Sequence, residues 1–266
     1  MKALLASLLF AVVPVAGSLA QAPAPEISHA LAPGGRLRVA INLGNVVLAQ
    51  RNQQSGALGG VSVEIAREIG HRLSLPVDLI PFDGAGKVTD ALAQNTWDMA
   101  FLAIDPVRAR QIDFSPPYVL IEGTYVVAQA STLRTIADVD QPGVRIAGGR
   151  GSAYDLYLTR ALKSATIVRA PSSAAAIALF RADGLDAAAG VKQPLAAYAA
   201  ANPAVRLIDG RFMSIEQAIA LPAGRMPATR YVAGLIEELK ASGFVARALA
   251  ASGQGEAQVA PASRAP

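Results

Sequence analysis

The chain has 266 residues, no cysteine and a formal charge of +4, with 17% charged and 5% aromatic residues. Without cysteine there is no disulfide framework, no thiolate metal site and no lipid-attachment residue. The basic residues are scattered rather than gathered into a stripe interleaved with aromatics, which argues against nucleic-acid binding, and the scarcity of aromatics argues against a sugar site built from stacking rings.

Lys2, the apolar run Ala3 to Val15 and then Ser18-Leu19-Ala20 follow the order of a secretory signal peptide, residues 1–20, cut after Ala20. The run is shorter than the roughly 20 apolar residues a membrane span needs, and no other segment approaches that length. The expected mature chain is exported, soluble and long enough for two small lobes with separate cores. Residues 21–35, rich in Pro and Ala, read as a linker, and residues 252–266 as a disordered tail.

The first expected strand is Leu37 to Ile41, followed by the polar break Asn42 to Asn45. Val61 to Leu73 has helical spacing, with Ile65, Ile69 and Leu73 on one stripe and Glu68 one turn before Arg72. A strand from Val77 to Pro81, a short helix from Val88 to Ala93 and an apolar strand from Met99 to Ile104 complete a β-α-β-α-β order. Pro106 then stops the strand and leaves Arg108 just beyond its carboxyl end. Ligands collect at that edge of open α/β sheets, and an Arg there offers a planar fork of donors to a carboxylate or phosphate. The alternative is a surface Arg in a basic loop.

After a crossing segment, Gly123 to Ala128, the same order returns: strand Val144 to Ala147, helix Ser152 to Lys163, strand Thr166 to Ala170, helix Ser172 to Asp183, strand Leu185 to Ala189. The text itself echoes, Trp97-Asp98-Met99-Ala100 in one half and Leu185-Asp186-Ala187-Ala188 in the other. Two such α/β units leave a cleft lined by strand ends and helix starts; the alternative is one larger doubly wound domain. Gly148 to Tyr154 joins a strand to a helix start, where Ser152 can cap and free N–H groups with the helix dipole favour an anion. An ordinary strand-to-helix turn would have the same text.

Other chemistry finds little to draw on. The two histidines, His29 and His71, fall in the linker and off the apolar stripe of the first helix, so neither a Ser-His-acid triad nor a His-rich metal site is expected. Gly84-Ala85-Gly86-Lys87 hints at a phosphate loop, but Val88 stands where Ser or Thr is required, and it reads as a turn. No Gly-x-Gly-x-x-Gly follows the first strand, so no cofactor is expected.

Asp105-Pro106, then Arg108-Ala109, Asp113-Phe114-Ser115 and Pro117-Tyr118 resemble the central signature of family 3 extracellular solute-binding proteins. These are periplasmic receptors for amino acids and related solutes that feed ABC importers. Gly60-Val61-Ser62-Val63-Glu64-Ile65-Ala66 resembles the family's entry into its first helix, and the likeness runs from about Leu37 to about Ala251. It implies a two-lobed periplasmic-binding-protein-like (type II) α/β fold, with lobe 1 made of residues 36–124 and 214–251 and lobe 2 of 125–213. A strand Ala218 to Leu221 and helices Ala228 to Ala241 and Phe244 to Ala251 would then return to lobe 1, with Gly243 as the C′ residue between the helices.

The resemblance gives Arg108 the ligand carboxylate, with Gly151, Ser152 and Ala153, and Tyr154 beside them, reaching it from across the cleft. Departures from the family pattern mark further candidate positions. Phe101 and Ala103 stand where amino-acid binders usually carry Ser or Thr. Val191, followed by Lys192, stands where an Asp holds the ligand ammonium, and Asn42 where an Asp is frequent. That set fits a carboxylate better than a standard amino acid, unless Glu122 or Asp105 supplies the missing negative charge. The implied partner is an inner-membrane permease, the implied state a monomer and the implied location the periplasm. A dehydratase-like enzyme acting on a small carboxylic acid, with Glu122 as its acid or base, and a sensory ligand-binding protein are the alternatives on the same fold.

Overall fold

The computed structural model describes residues 25–263, and the expected signal peptide with its cleavage after Ala20 lies outside them. The elements in chain order are α1 (Pro25–Leu31), β1 (Leu37–Asn42), β2 (Gln50–Arg51), β3 (Leu58–Gly59), α2 (Val61–Leu73), β4 (Val77–Phe82), α3 (Ala85–Asp90), β5 (Met99–Ala103) and β6 (Ile112–Ala128). There follow β7 (Arg145–Gly149), α4 (Ala153–Ala161), β8 (Thr166–Ala170), α5 (Ser173–Ala182), β9 (Ala187–Val191) and α6 (Lys192–Ala201). The last are β10 (Val205–Leu207), β11 (Met213–Pro222), α7 (Met226–Ala241), α8 (Phe244–Ala251) and β12 (Gln258–Val259).

One sheet runs through the molecule in the order β4-β1-β5-β11-β6-β9-β7-β8, with β10 and β12 also on β6. At each end the strands are parallel, β4-β1-β5 and β9-β7-β8, because helices connect them. Between them β11 and β6 run antiparallel to their neighbours. β5 and β9 are buried at every position, which explains why both read as unbroken apolar runs rather than alternating ones. The expected crossing, Gly123 to Ala128, is the last third of one 17-residue strand, β6. Pro116 and Pro117 lie inside it, and the β6/β11 register slips opposite them, near Gln217 and Ala218. Proline has no N–H to donate to the ladder, and the Ser115 hydroxyl accepts the Ile219 N–H there at 3.0 Å.

The echo between the halves has a structural meaning. Asp98 and Asp186 each precede a buried strand, and each donates its backbone N–H to the arginine that opens or nearly opens the neighbouring strand, Arg38 O at 2.8 Å and Arg145 O at 3.0 Å. Each carboxylate in turn accepts that arginine's backbone N–H, at 3.2 Å in Asp98 and 2.7 Å in Asp186. Asp98 is almost fully buried and also accepts Arg38 Nε at 2.9 Å and the Arg225 guanidinium at 3.3 Å. Burial alone would raise its pKa, but the Arg38 bonds outweigh it and hold the carboxyl below its usual value.

Apolar clusters lie on both faces of the sheet in each half. In one half, Ile65, Ile69, Phe101, Ile219, Val232 and Ile236 pack on one face, and Val88, Trp97, Leu102 and Ile112 on the other. In the second, Tyr125, Ile146, Leu158 and Ile208 oppose Val126, Phe180, Leu185 and Leu195.

Two expectations about the ends need correction. Part of the expected linker 21–35 is helix α1, whose Leu31 is fully buried and whose Ile27 and Ala30 pack on the same core, as residues of a disordered segment would not. The expected disordered tail 252–266 contains β12, which pairs with Val119 and Leu120 of β6, and its Ala257 and Ala260 are buried. Small residues hid this contact, because alanine leaves little mark in a hydrophobic pattern yet fits closely against a strand. The short helix expected at Val88 to Ala93 begins earlier, at Ala85, and ends in a 3₁₀ turn over Ala91–Gln94.

Candidate functional site

The site forms where the carboxyl ends of β1, β5 and β9 meet the start of α4. β5 ends at Ala103, and a one-turn 3₁₀ helix at Arg108–Arg110 turns the Arg108 side chain back under the strand end. Arg108 is 5% exposed. Its guanidinium donates to Ala103 O at 2.9 Å and, across to the turn before α4, to Gly151 O at 2.8 Å. Its buried Nε has no partner among the described residues. Burial pulls the group down to about 10, against the opposing pull of Asp105. Both acceptors are neutral carbonyls, so a buried cation is left with N–H groups to spare and no hydrogen-bonded anion, an arrangement that costs several kcal/mol relative to a paired one.

Asp105 does not fill that role. It is 4% exposed, but its carboxylate is engaged by Arg160 of α4 at 2.7 Å and by the Val107 N–H at 2.8 Å. The Asp105–Arg160 pair and the Arg108–Gly151 bond both tie the end of β5 to α4 and its preceding turn. Gly86 of α3 meets the same turn so closely that a Cβ there would lie 2.7 Å from Arg150 O, and a Cβ on Gly151, whose φ is +67°, would lie 2.6 Å from Gly86 Cα. The segment that resembled a phosphate loop is thus a place of close backbone approach.

Arg108 lines a cavity of about 30 Å³ together with Asn42, Asn45, Ala103, Ser152, Ala153, Tyr154, Ser173, Val191, Ile215 and Gln217. Of the residues expected from sequence, Arg108, Asn42, Ala103, Ser152, Ala153 and Tyr154 therefore meet in one place, and Gly151 touches it through the Arg108 bond. Two groups of the turn are already engaged within the chain. Gly151 N–H is taken by the Asp155 carboxylate at 2.8 Å, and Ser152 Oγ caps α4 by accepting Asp155 N–H at 3.1 Å. The first-turn N–H groups of Ala153 and Tyr154 have no intrahelical acceptor. Tyr154 donates its hydroxyl to Ser173 at 2.7 Å, and burial raises its pKa.

Three expected residues lie elsewhere. Phe101 sits one pleat deeper than Ala103 on the same face of β5, inside the core, edge-on to Tyr118 with ring centroids 5.9 Å apart. Glu122 is paired with Lys192 and with Arg211, each at 2.7 Å, beside a separate cavity of about 450 Å³ near β12. The Lys192 and Arg211 bonds hold the Glu122 carboxyl below its usual value. At the end of β9 it is Val191 that lines the Arg108 cavity, while Lys192, one residue on, opens α6 and reaches Glu122 instead.

Sequence reasoning missed Asn45, Ser173, Ile215 and Gln217. Gln217 is 5% exposed and sits on β11 opposite Ala103. Only the Asn42-to-Asn45 break after β1 carried a local signal. A second cavity, of about 280 Å³, adjoins the first and shares Gly44, Tyr154, Ser173 and Val191 with it.

Among solved structures, a substrate-binding protein of an amino acid ABC transporter, AbpA from Streptococcus pneumoniae bound to L-arginine, superposes with a TM-score of 0.73 at 20% identity, covering 85% of this chain and 98% of that one. The solute receptor for L-cysteine of Neisseria gonorrhoeae gives 0.73 at 19% identity, with 84% and 92% covered. The ancestral amino acid-binding protein AncCDT-1, a precursor of cyclohexadienyl dehydratase, gives 0.68 at 22% identity, with 82% and 95% covered. These likenesses establish the two-lobed periplasmic-binding-protein fold. No curated protein sequence matches the chain. The model of the bacterial extracellular solute-binding proteins, family 3, matches residues 37–251, and the chain belongs to that family.

Proposed function

We propose that the chain is the solute-binding component of an ABC importer, exported to the periplasm, where it holds a small carboxylate between two lobes and presents it to an inner-membrane permease. Lobe 1 comprises residues 36–124 and 214–251, extended by α1 and the segment through β12, and lobe 2 comprises 125–213. The observation that carries this reading is Arg108, a cation 5% exposed, held by two neutral carbonyls and with its Nε unpartnered. A carboxylate in the adjoining cavity would take the spare guanidinium donors, with the Ser152 hydroxyl and the start of α4 on its other side. Arg108 would then join ligand and both lobes, since one of its nitrogens already reaches Gly151.

The dehydratase reading needs an acid or base in the same cavity. Glu122 is paired with two cations beside a different cavity, which favours binding without conversion. The test is a thermal-shift screen of the exported protein against carboxylates, amines and neutral solutes, followed by calorimetry on wild type and Arg108→Ala. A ligand at 100 times its dissociation constant adds roughly 2.7 kcal/mol of stability. Loss of the charge-assisted pair is expected to cost about 2–5 kcal/mol, or roughly 30- to 5,000-fold in affinity. A solute without an anionic group, or equal affinity in Arg108→Ala, would remove the proposal.

A further inference from the structure

We infer that the solute is a monocarboxylate with an apolar body the size of an aryl group and without an ammonium group. This rests on the reading of Arg108 as the carboxylate site. The two adjoining cavities differ in kind. Around Arg108 the polar groups that line the smaller one, Asn42, Asn45, Ser152, Tyr154, Ser173 and Gln217, are all neutral. A ligand ammonium enclosed there would have no counter-ion except the carboxylate it is attached to, and it would lie close to a buried guanidinium of the same sign.

The larger cavity, about 280 Å³, is walled by Leu43, Val46, Ile177, Val191, Pro194 and Leu195. Its one acid, Asp83, is exposed and already paired with Lys87 at 2.9 Å, so it brings its own counter-ion to the cavity wall. A cavity of about 150 Å³ lined by aliphatic side chains takes up benzene, so this one has room for a ring and its connecting carbons. Because Gly44, Tyr154, Ser173 and Val191 line both spaces, a carboxylate at Arg108 and an apolar body beside Ile177 can belong to one molecule. Asn45 refines the choice, since its buried Oδ1 has no partner among the described residues. A neutral hydroxyl on the carbon next to the carboxylate would satisfy it without adding charge.

Three probes that differ only at that carbon separate the possibilities: 3-phenylpropanoate, 3-phenyllactate and L-phenylalanine, titrated calorimetrically into the wild-type chain, Arg108→Ala and Ala174→Trp. Ala174 lines the apolar cavity from an exposed position on α5, so a bulky ring there fills the space without disturbing a core. Both unaminated acids are expected to bind, L-phenylalanine at least tenfold more weakly, and Ala174→Trp to weaken both acids at least fivefold with an unchanged melting temperature. L-Phenylalanine binding as tightly as the other two, with dependence on Arg108, would overturn the ligand class and leave the carboxylate site standing. So would binding of only short acids such as glycolate, or aryl acids indifferent to Ala174→Trp. If no carboxylate binds, or Arg108→Ala binds unchanged, the carboxylate site itself is refuted and this inference with it.

Discussion

Gly86→Ala tests whether the contact between α3 and the turn at Arg150–Gly151 is part of ligand capture. An alanine Cβ at residue 86 would lie 2.7 Å from Arg150 O and 3.3 Å from Gly151 Cα, where ordinary contact begins near 3.4 Å. Both neighbours are backbone atoms, so the strain has no side chain to relax into. Overpacking of this kind costs about 1–3 kcal/mol, which corresponds to roughly 5- to 150-fold in affinity if it acts only on the closed state. Away from that contact the substitution works the other way, because alanine in a helix is better than glycine by up to about 1 kcal/mol. In a binding protein that closes on its solute by hinge motion, Gly86→Ala should therefore weaken the bound complex and leave the empty protein as stable as before or slightly more so. Gly151→Ala is the contrasting case: its φ of +67° penalises alanine in the open and closed states alike and so lowers the melting temperature, while its Cβ, 2.6 Å from Gly86 Cα, lowers affinity through the same contact. The measurements are calorimetric affinity for the carboxylate found by screening and thermal unfolding of the empty proteins. Unchanged affinity in Gly86→Ala, or a fall in its empty-state melting temperature equal to the loss in binding, would refute the argument that this contact forms on closure.

Asp98→Asn should destabilise the chain by about 2–3 kcal/mol, less than for a fully buried pair because Arg38 is one-third exposed. Since the folded pKa of Asp98 lies below its unfolded value, its contribution is complete above that unfolded value of about 3.9 and is lost as pH falls through the folded one. The stability gap between wild type and variant should therefore be constant at neutral pH and narrow in acid, and a gap that widens in acid would contradict the assignment. Truncation after Glu256 removes β12 and the burial of Ala257 and Ala260, and it leaves Lys240 without its bond to Pro261 O; denaturant unfolding should show a loss of about 1–3 kcal/mol. Burial brings Arg108 only to about 10, so it stays charged at neutral pH, and carboxylate affinity should be flat between about pH 6 and pH 9. A tenfold change across that range would point to a different anchor.

The strand, its proline stop and Arg108 were legible in the sequence because all three are local. An apolar run, a residue that cannot continue it and a guanidinium two positions later leave the side chain at a strand end whatever surrounds it. Ser152 as a helix cap was legible for the same reason, as was the β-α-β-α-β repeat, which rests on periods of single elements. Tertiary structure alone decided which of those ends share a cavity. β11 lies between β5 and β6 though it is far from both in the chain, and only that insertion brings Gln217 and Ile215 to Arg108. Lys192 and Val191 are adjacent in sequence, yet the step from β9 into α6 sends one to Glu122 and leaves the other at the cavity wall. Phe101 and Ala103 share a face of one strand and both belong to the core, but only Ala103, nearer the strand's carboxyl end, also reaches the cavity. The ordered tail escaped notice because alanines carry almost no pattern. What buries Ala257 and Ala260 is an open position beside β6, a property of the assembled sheet and not of the segment that fills it.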